Sequence, residues 1–308
     1  MTELFLCYTF LMSSLCIKKE LFKDNPLLSR LLELHDTPDQ LYIRGALPEI
    51  TIDEFGRATP RILTVVGSRK YSPYGKSAVE ALLKGFSKDE VIILSGLAIG
   101  IDGIAHKTAL TNNLTTIAIP GSGLEETVLY PSAHKELAKD ITAFDGCLIS
   151  ELDDMTRATQ WTFPARNRIM ASLSDAVLII EAEEKSGTLI TARQALELGK
   201  DIGAVPGEIF NDGAKGTLSL IKDGATPICS HEDLRELLHL KEKTIEEKTR
   251  PNITKDEETL LSLLSSPKDK DLLLSESRMP PEHFMMTVTT LELKGLIEET
   301  FGEIRKIV

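Results

Sequence analysis

Two arginines, an asparagine and a phenylalanine stand together in Phe163-Pro164-Ala165-Arg166-Asn167-Arg168. Arg166 and Arg168 can each meet a backbone phosphate, Asn167 can donate and accept hydrogen bonds or cap a helix, and Phe163 offers a face to a base. Basic and aromatic contacts of this kind describe a groove for a single strand of nucleic acid. The competing reading makes Phe163 a core residue and pairs one arginine with Glu151 or Glu181. Two other turns share the logic. Gly67-Ser68-Arg69 ends the buried run Val65-Val66, where glycine admits close backbone approach, a helix start offers free N–H groups and Arg69 supplies a fork for phosphate oxygens. Ser186-Gly187-Thr188 brings hydroxyls and backbone donors at another strand end. Between them, Ser95-Gly96-Leu97-Ala98-Ile99-Gly100-Ile101-Asp102 has glycines suited to a backbone nest, with Asp102 placed as a helix cap. Lys200 and Pro206-Gly207 fall near neighbouring strand ends and can border the same crevice. His106 reads as a structural hydrogen-bonding histidine ahead of a catalytic base.

The elements that must position these residues show in the apolar pattern. Runs at Ile62–Val66, Val91–Leu94, Thr115–Ile119, Gly146–Ile149, Ala176–Ile180 and Ile202–Val205 are expected as strands, and they do not alternate with polar residues. That fits strands covered on both faces of a parallel sheet. Helices are expected between them, near 74–86, 103–112, 132–141, 167–174 and 189–198. The expected fold class is therefore α/β: an extended Rossmann-like, doubly wound, mainly parallel sheet, with a small C-terminal winged-helix domain. Ligands of such sheets sit at the carboxyl ends of the strands, where the glycine turns fall.

Four segments are expected: an N-terminal helical lead-in over 1–60, the Rossmann-like domain over 61–240, a charged linker over 241–253, and the winged-helix-like module over 254–308. The last has three helix patterns and a hairpin turning at Phe301-Gly302. Its third helix, around His283–Thr290, has almost no Lys or Arg, which favours packing or a protein contact over base readout. The apolar run from Leu4 to Ile17 is short for a membrane span and is expected to be a helix packed on the body, or sequence upstream of a true start near Met12.

Composition restricts the partners. The formal net charge is -12, and residues 1–60, 61–230 and 231–308 carry -3, -4 and -5 (6 basic against 9 acidic, 17 against 21, 12 against 17). Any nucleic-acid contact must therefore come from a local basic groove and be strongly salt-sensitive. The four cysteines, Cys7, Cys16, Cys147 and Cys229, form no CxxC pair, so no structural metal is expected and a reducing cytoplasm is. Cys147 and Cys229 are read as buried thiols in strand-like runs. No GxxxxGK[ST] loop, GxSxG elbow or HExxH motif is present.

In order along the chain, VVGSR (65–69), LSGLAIGIDGIAH (94–106), TIAIPGSGLEETVLYP (116–131), LISE (148–151), FPARNRIMASLSDAVLIIEA (163–182), KSGTLITARQALELGK (185–200), AVPG (204–207) and GTLSLIKDGA (216–225) closely resemble the DprA/Smf family of DNA-processing proteins. The resemblance covers roughly residues 27–240. It implies a cytoplasmic, homodimeric protein that binds single-stranded DNA, protects incoming DNA in transformation and delivers the RecA recombinase to it. No catalysis and no cofactor are implied. The resemblance implies Arg69, Phe163, Arg166, Asn167, Arg168, Ser186 and Gly187 as DNA-binding residues, and the turns and strand ends add Gly67, Ser68, Ser95, Gly96, Thr188 and Lys200 to the expected site. Two alternatives compete. One is a Rossmann enzyme cleaving nucleoside monophosphates at the N-glycosidic bond, of whose PGGxGTxxE pattern Pro120-Gly121-Ser122-Gly123-Leu124-Glu125 is a partial echo. The other is a winged-helix regulator.

Overall fold

The computed structural model describes residues 14–53, 57–240, 254–264, 267–294, 296–300 and 303–306. The opening residues with Cys7, the charged run 241–253, Ser265, Gly295, Ile307 and the Phe301-Gly302 turn lie outside them. The chain divides into two compact units, Met1–Lys241 and Glu242–Val308.

In the larger unit the apolar runs become strands buried on both sides. β1 (Leu15–Lys18), β2 (Gln40–Gly45), a small hairpin of β3 (Thr51–Ile52) and β4 (Ala58–Thr59), β5 (Arg61–Val66) and β6 (Val91–Ser95) come first. β7 (Thr116–Ala118), β8 (Cys147–Ser150), β9 (Ala176–Ile179), β10 (Asp201–Ala204) and β11 (Thr226–Pro227) follow. The main sheet has the order β1-β2-β8-β7-β6-β5-β9-β10-β11. From β8 to β11 every pairing is parallel. Along β5, Ile62 and Val66 join one apolar cluster and Leu63 and Val65 the other, so each face has its own core. Helices α1 (Pro73–Leu83) and α2 (Ile101–Thr111) cover one face through Val79, Leu83, Ile101 and Ala105. After α3 (Lys135–Ala143), helices α4 (Thr162–Leu173) and α5 (Gly187–Glu197) cover the other through Ile169, Met170, Ala192 and Ala195. Helices α6 (Lys215–Lys222) and α7 (His231–Leu237) complete the unit.

The chain winds outward from β5 to β8, then α4 carries it back to β9 on the other side of β5. Loops leaving β5 and β9 therefore diverge, and a crevice opens above their carboxyl ends.

Residues 14–53 keep two short 3-10 helices, Lys19–Asp24 and Leu28–Glu33, but otherwise differ from the helical lead-in expected over 1–60. They add β1 and β2 to the edge of the main sheet, with β2 antiparallel to β8 in the register Tyr42↔Ser150 to Gly45↔Cys147. In β2, Leu41 and Ile43 are buried while Tyr42 and Arg44 are half-buried, a period-two pattern that makes a strand of Gln-Leu-Tyr-Ile-Arg. Between these strands, Leu28 and Leu31 pack into the core beside α4. Cys147 is buried, with its thiol pushed up to about 12 by desolvation, whereas Cys229 is exposed just past β11 rather than buried.

The smaller unit has α8 (Lys255–Leu263), β12 (Lys268–Asp269), α9 (Lys270–Ser277), α10 (Pro281–Leu293), β13 (Ile297–Thr300) and β14 (Glu303–Lys306). Its sheet order is β12-β14-β13, and Leu260, Leu273, Phe284, Val288 and Ile304 share one core. This succession is consistent with the expected winged-helix module. Thr254 and Glu257 form a reciprocal cap on α8, and Glu257 also accepts from Lys294 at 2.7 Å.

Candidate nucleic-acid interface

The crevice between β5 and β9 is a pocket of about 470 Å³. Gly67, Ser68, Arg69 and Lys70 line it from β5, Phe163, Arg166, Asn167 and Met170 from α4, and Ser186, Gly187 and Thr188 from the start of α5. Three separate stretches of sequence thus meet at one place.

The β5 turn is held rigidly. A Cβ on Gly67 would lie 2.7 Å from Ile101, so only glycine lets the start of α2 pack here. Gly100 has φ +98° and its Cα faces the Ser68 carbonyl, where no side chain fits. That carbonyl accepts the Ile101 N–H at 3.2 Å, and the Ser68 hydroxyl accepts the Lys70 N–H at 3.0 Å. On the opposite wall, the Ser186 hydroxyl caps α5 by accepting the Thr188 N–H, and Thr188 donates its own hydroxyl to the Gly67 carbonyl at 3.1 Å. Gly187 is the first residue of α5, with nothing within 4 Å of where a Cβ would stand. The positive end of an 11-residue helix therefore meets open space in the pocket.

Arg69 is exposed, and its guanidinium lies 5.1 Å from the centre of the Phe163 ring. Phe163 is half-buried. Its ring rests on Gly121, where a Cβ would approach to 2.5 Å, and meets the Tyr130 ring edge-on at 5.6 Å. A cation and an aromatic face thus share one wall beside a helix N-terminus.

Arg166 has a different part. It is buried and donates through Nη1 to the Gly96 carbonyl at 2.7 Å and to the Ile119 carbonyl, and through Nε to Asn167 Oδ1 at 3.1 Å. Desolvation pulls its pKa down to about 10, against the opposing pull of Asp102, so it stays charged at neutral pH. Burial pushes the Asp102 carboxyl above its usual range, while Arg166 and the Ala98 and Gly96 backbone pull it back. Asp102 is not the N-cap expected of it. Gly100 holds that position, and Asp102 accepts the Ala98 N–H at 3.4 Å from within the first turn. Arg166 is a strut that ties α4 to the ends of β6 and β7.

Four residues expected at the site lie outside the pocket lining. Ser95 is fully buried and donates to the Val65 carbonyl at 2.6 Å, and Gly96 is pressed against Arg166, so both form the floor beneath the pocket. Arg168 pairs with Asp36 at 2.9 Å and with Glu151. The reason is that α4 begins at Thr162, not near Asn167, so Arg166 and Arg168 are about 200° apart around the helix. Pro164 does not prevent this, because the first turn needs no intrahelical N–H. Lys200 precedes β10 and so stands at the amino end of the sheet, largely desolvated near Arg30, Glu33 and Asp175. Pro206 and Gly207 line a separate cavity with Tyr74 and Glu181. Conversely Lys70, Glu183 and Met170 line the pocket without having been singled out. Lys70 follows Arg69 directly, a signal the sequence carried.

His106 is fully buried and shares a 2.7 Å hydrogen bond with Thr116, whose hydroxyl donates to the Ile93 carbonyl. Burial, with the charges of His134 and Arg166, lowers its pKa from 6.5 to about 3. The unfolded chain therefore binds a proton in that interval that the folded chain does not, and stability falls as pH drops below 6.5. The slope is up to about 1.4 kcal/mol per pH unit. Urea titrations from pH 7 to pH 4 should show this loss, and His106→Asn should flatten it. An unchanged slope in the variant would remove His106 as its source.

Among the described residues no helix is long and apolar enough to cross a membrane, and no group of His, Cys, Asp or Glu could hold a metal ion. Comparison with known proteins extends the geometry. The Bacillus subtilis DNA processing protein DprA is 38% identical over 208 residues, covering 68% of this chain and 67% of that protein. The X-ray structure of DprA from Streptococcus pneumoniae superposes with a TM-score of 0.63 at 35% identity, covering 74% of this chain and 76% of that one. A structure of DNA processing protein A from Helicobacter pylori, which describes a single-stranded DNA binding mode, gives 0.59 at 28% identity, covering 74% and 95%. The model of the DNA recombination-mediator protein A family matches residues 20–239, which contain the whole crevice, and the chain belongs to that family.

Proposed function

We propose that the protein binds single-stranded DNA in the crevice between β5 and β9, protects incoming DNA during transformation and recombination, and presents it to the RecA recombinase as a homodimer. The observation that carries the single-strand binding is Arg69 over the Phe163 ring beside the N-terminus of α5, while protection, RecA delivery and the homodimer follow from the family resemblance. A phosphate is met by the guanidinium and the positive end of the helix, and an unstacked base by the ring. A duplex keeps its bases stacked inside and offers only its phosphates, so single strands are preferred. The family match and the Helicobacter pylori relative support the same substrate class.

The reading is one of binding without bond cleavage. The carboxylates lining the pocket are Asp102 and Glu183, and Asp102 is engaged with the Ala98 N–H beside Arg166. The test is a titration of oligo-dT and of duplex of equal length across a salt series, with nucleoside monophosphates assayed in parallel for base release. Tighter binding of oligo-dT and no released base are expected. Equal affinity for the two would overturn the reading, and turnover that a pocket substitution abolishes would establish glycosidic cleavage instead.

A further inference from the structure

We infer that the loops after β7 and β8 form a second base subsite, with Trp161 as its platform, for an unpaired nucleobase on the strand whose phosphate occupies the crevice. The inference rests on the single-strand reading above. Trp161 is 74% exposed where α4 begins. Such a ring normally hides most of its surface, so this one holds a large apolar face in water. It does not stand alone. Two residues on, Phe163 forms the pocket wall, and Tyr130, 46% exposed, meets that ring edge-on. Trp161 and Phe163, two residues apart at the start of α4, leave it on different sides, so Trp161 stands beyond the pocket wall.

The ledge is stiff. Gly123 N–H donates to the Thr156 carbonyl at 2.8 Å, Glu125 N–H to the Asp154 carbonyl at 3.1 Å, and the Thr162 hydroxyl to the Gly121 carbonyl. These bonds join the two loops to each other and to the first turn of α4, so Trp161 is mounted on a fixed base. In the order β8-β7-β6-β5-β9 the ledge stands two to three strands from the crevice, roughly 10–15 Å at the usual spacing. A strand anchored by its phosphate at Arg69 reaches it within a few nucleotides.

Charge sets how the strand lies there. Glu125, Asp153 and Asp154 outnumber the exposed Arg157 in the same loops, and Glu125 is only partly offset by Arg44 at 3.3 Å. Carboxylates repel phosphates, so the strand meets the ledge with its bases and turns its backbone to water. Binding energy from this subsite comes from stacking, and it carries little salt dependence.

Trp161 is the only tryptophan of the chain, so its emission reports on the subsite directly. The experiment titrates wild type, Trp161→Ala, Trp161→Phe and Arg69→Ala with the dinucleotide of thymidine, too short to reach from the crevice to the ledge, and with oligo-dT of about twelve nucleotides, within known single-strand site sizes. The expected result is quenched emission on the longer strand. Trp161→Ala should lose about tenfold in affinity for it, little for the shorter one, with an unchanged salt slope and recovery in Trp161→Phe. Unchanged emission at saturation, or wild-type affinity of Trp161→Ala for the longer strand, overturns the subsite while Arg69-dependent binding stands. If wild type binds neither strand, or Arg69→Ala binds both as wild type does, the crevice reading fails and the subsite with it.

Discussion

Arg69→Ala is expected to weaken oligo-dT binding at least tenfold while leaving the melting temperature unchanged. The size follows from what Arg69 does in the crevice. It is exposed, it forms no ion pair among the described residues, and it is held over the Phe163 ring at 5.1 Å. A hydrogen bond from a guanidinium to a phosphate contributes about 1.5–3 kcal/mol. Loss of one phosphate contact should also lower the slope of log K against log salt by about 0.7 for a single strand. In a chain of net charge -12, few other contacts can compensate. Arg69→Lys should fall between, since it keeps the charge and loses the planar fork that both stacks and bonds. An exposed side chain of this kind adds little to folding, so its removal should move stability by no more than about 0.5 kcal/mol. Isothermal titration at three salt concentrations with a thermal melt of the same samples checks all of this. Wild-type affinity or an unchanged salt slope would place the phosphate elsewhere.

What could be read from the sequence depended on how local the cause was. Gly67-Ser68-Arg69 and Ser186-Gly187-Thr188 are turns, fixed by glycine and by a hydroxyl cap within a few residues, and both stand in the crevice. The parallel sheet was legible because its strands, covered on both faces, have nearly continuous apolar runs. The edge strands were not, because Leu15–Lys18 and Gln40–Gly45 exist by pairing with one another and with β8, a partner about a hundred residues away. Side-chain direction in the Phe163–Arg168 stretch failed for a smaller reason. The helix was expected to start near Asn167 and starts at Thr162, and an error of five residues in a helix start reassigns every face. Lys200 was recoverable. A residue that enters a parallel strand stands at its amino end, away from a ligand at the carboxyl ends.

The buried position of Arg166 gives the opposite prediction to that for Arg69. Arg166→Ala should destabilise the larger unit by about 3–5 kcal/mol, the usual cost of removing one member of a buried charged network. The Gly96 and Ile119 carbonyls lose their donor, Asn167 loses its partner, and Asp102 loses the cation that lowers its charging cost. At about 2–4 °C per kcal/mol for a unit of this size, the melting temperature should fall by about 10 °C. Arg166→Lys should recover only part, because an ammonium cannot serve two carbonyls and an amide in one plane. DNA affinity separates the strut from a ligand. Measured well below the melting point, Arg166→Ala should retain most of the salt slope of wild type, because the phosphate charge partner at Arg69 is intact. If Arg166→Ala instead melts like wild type and loses a full phosphate contact from its salt slope, then its guanidinium reaches DNA, and the hydrogen bonds to Gly96 and Ile119 open when the strand binds.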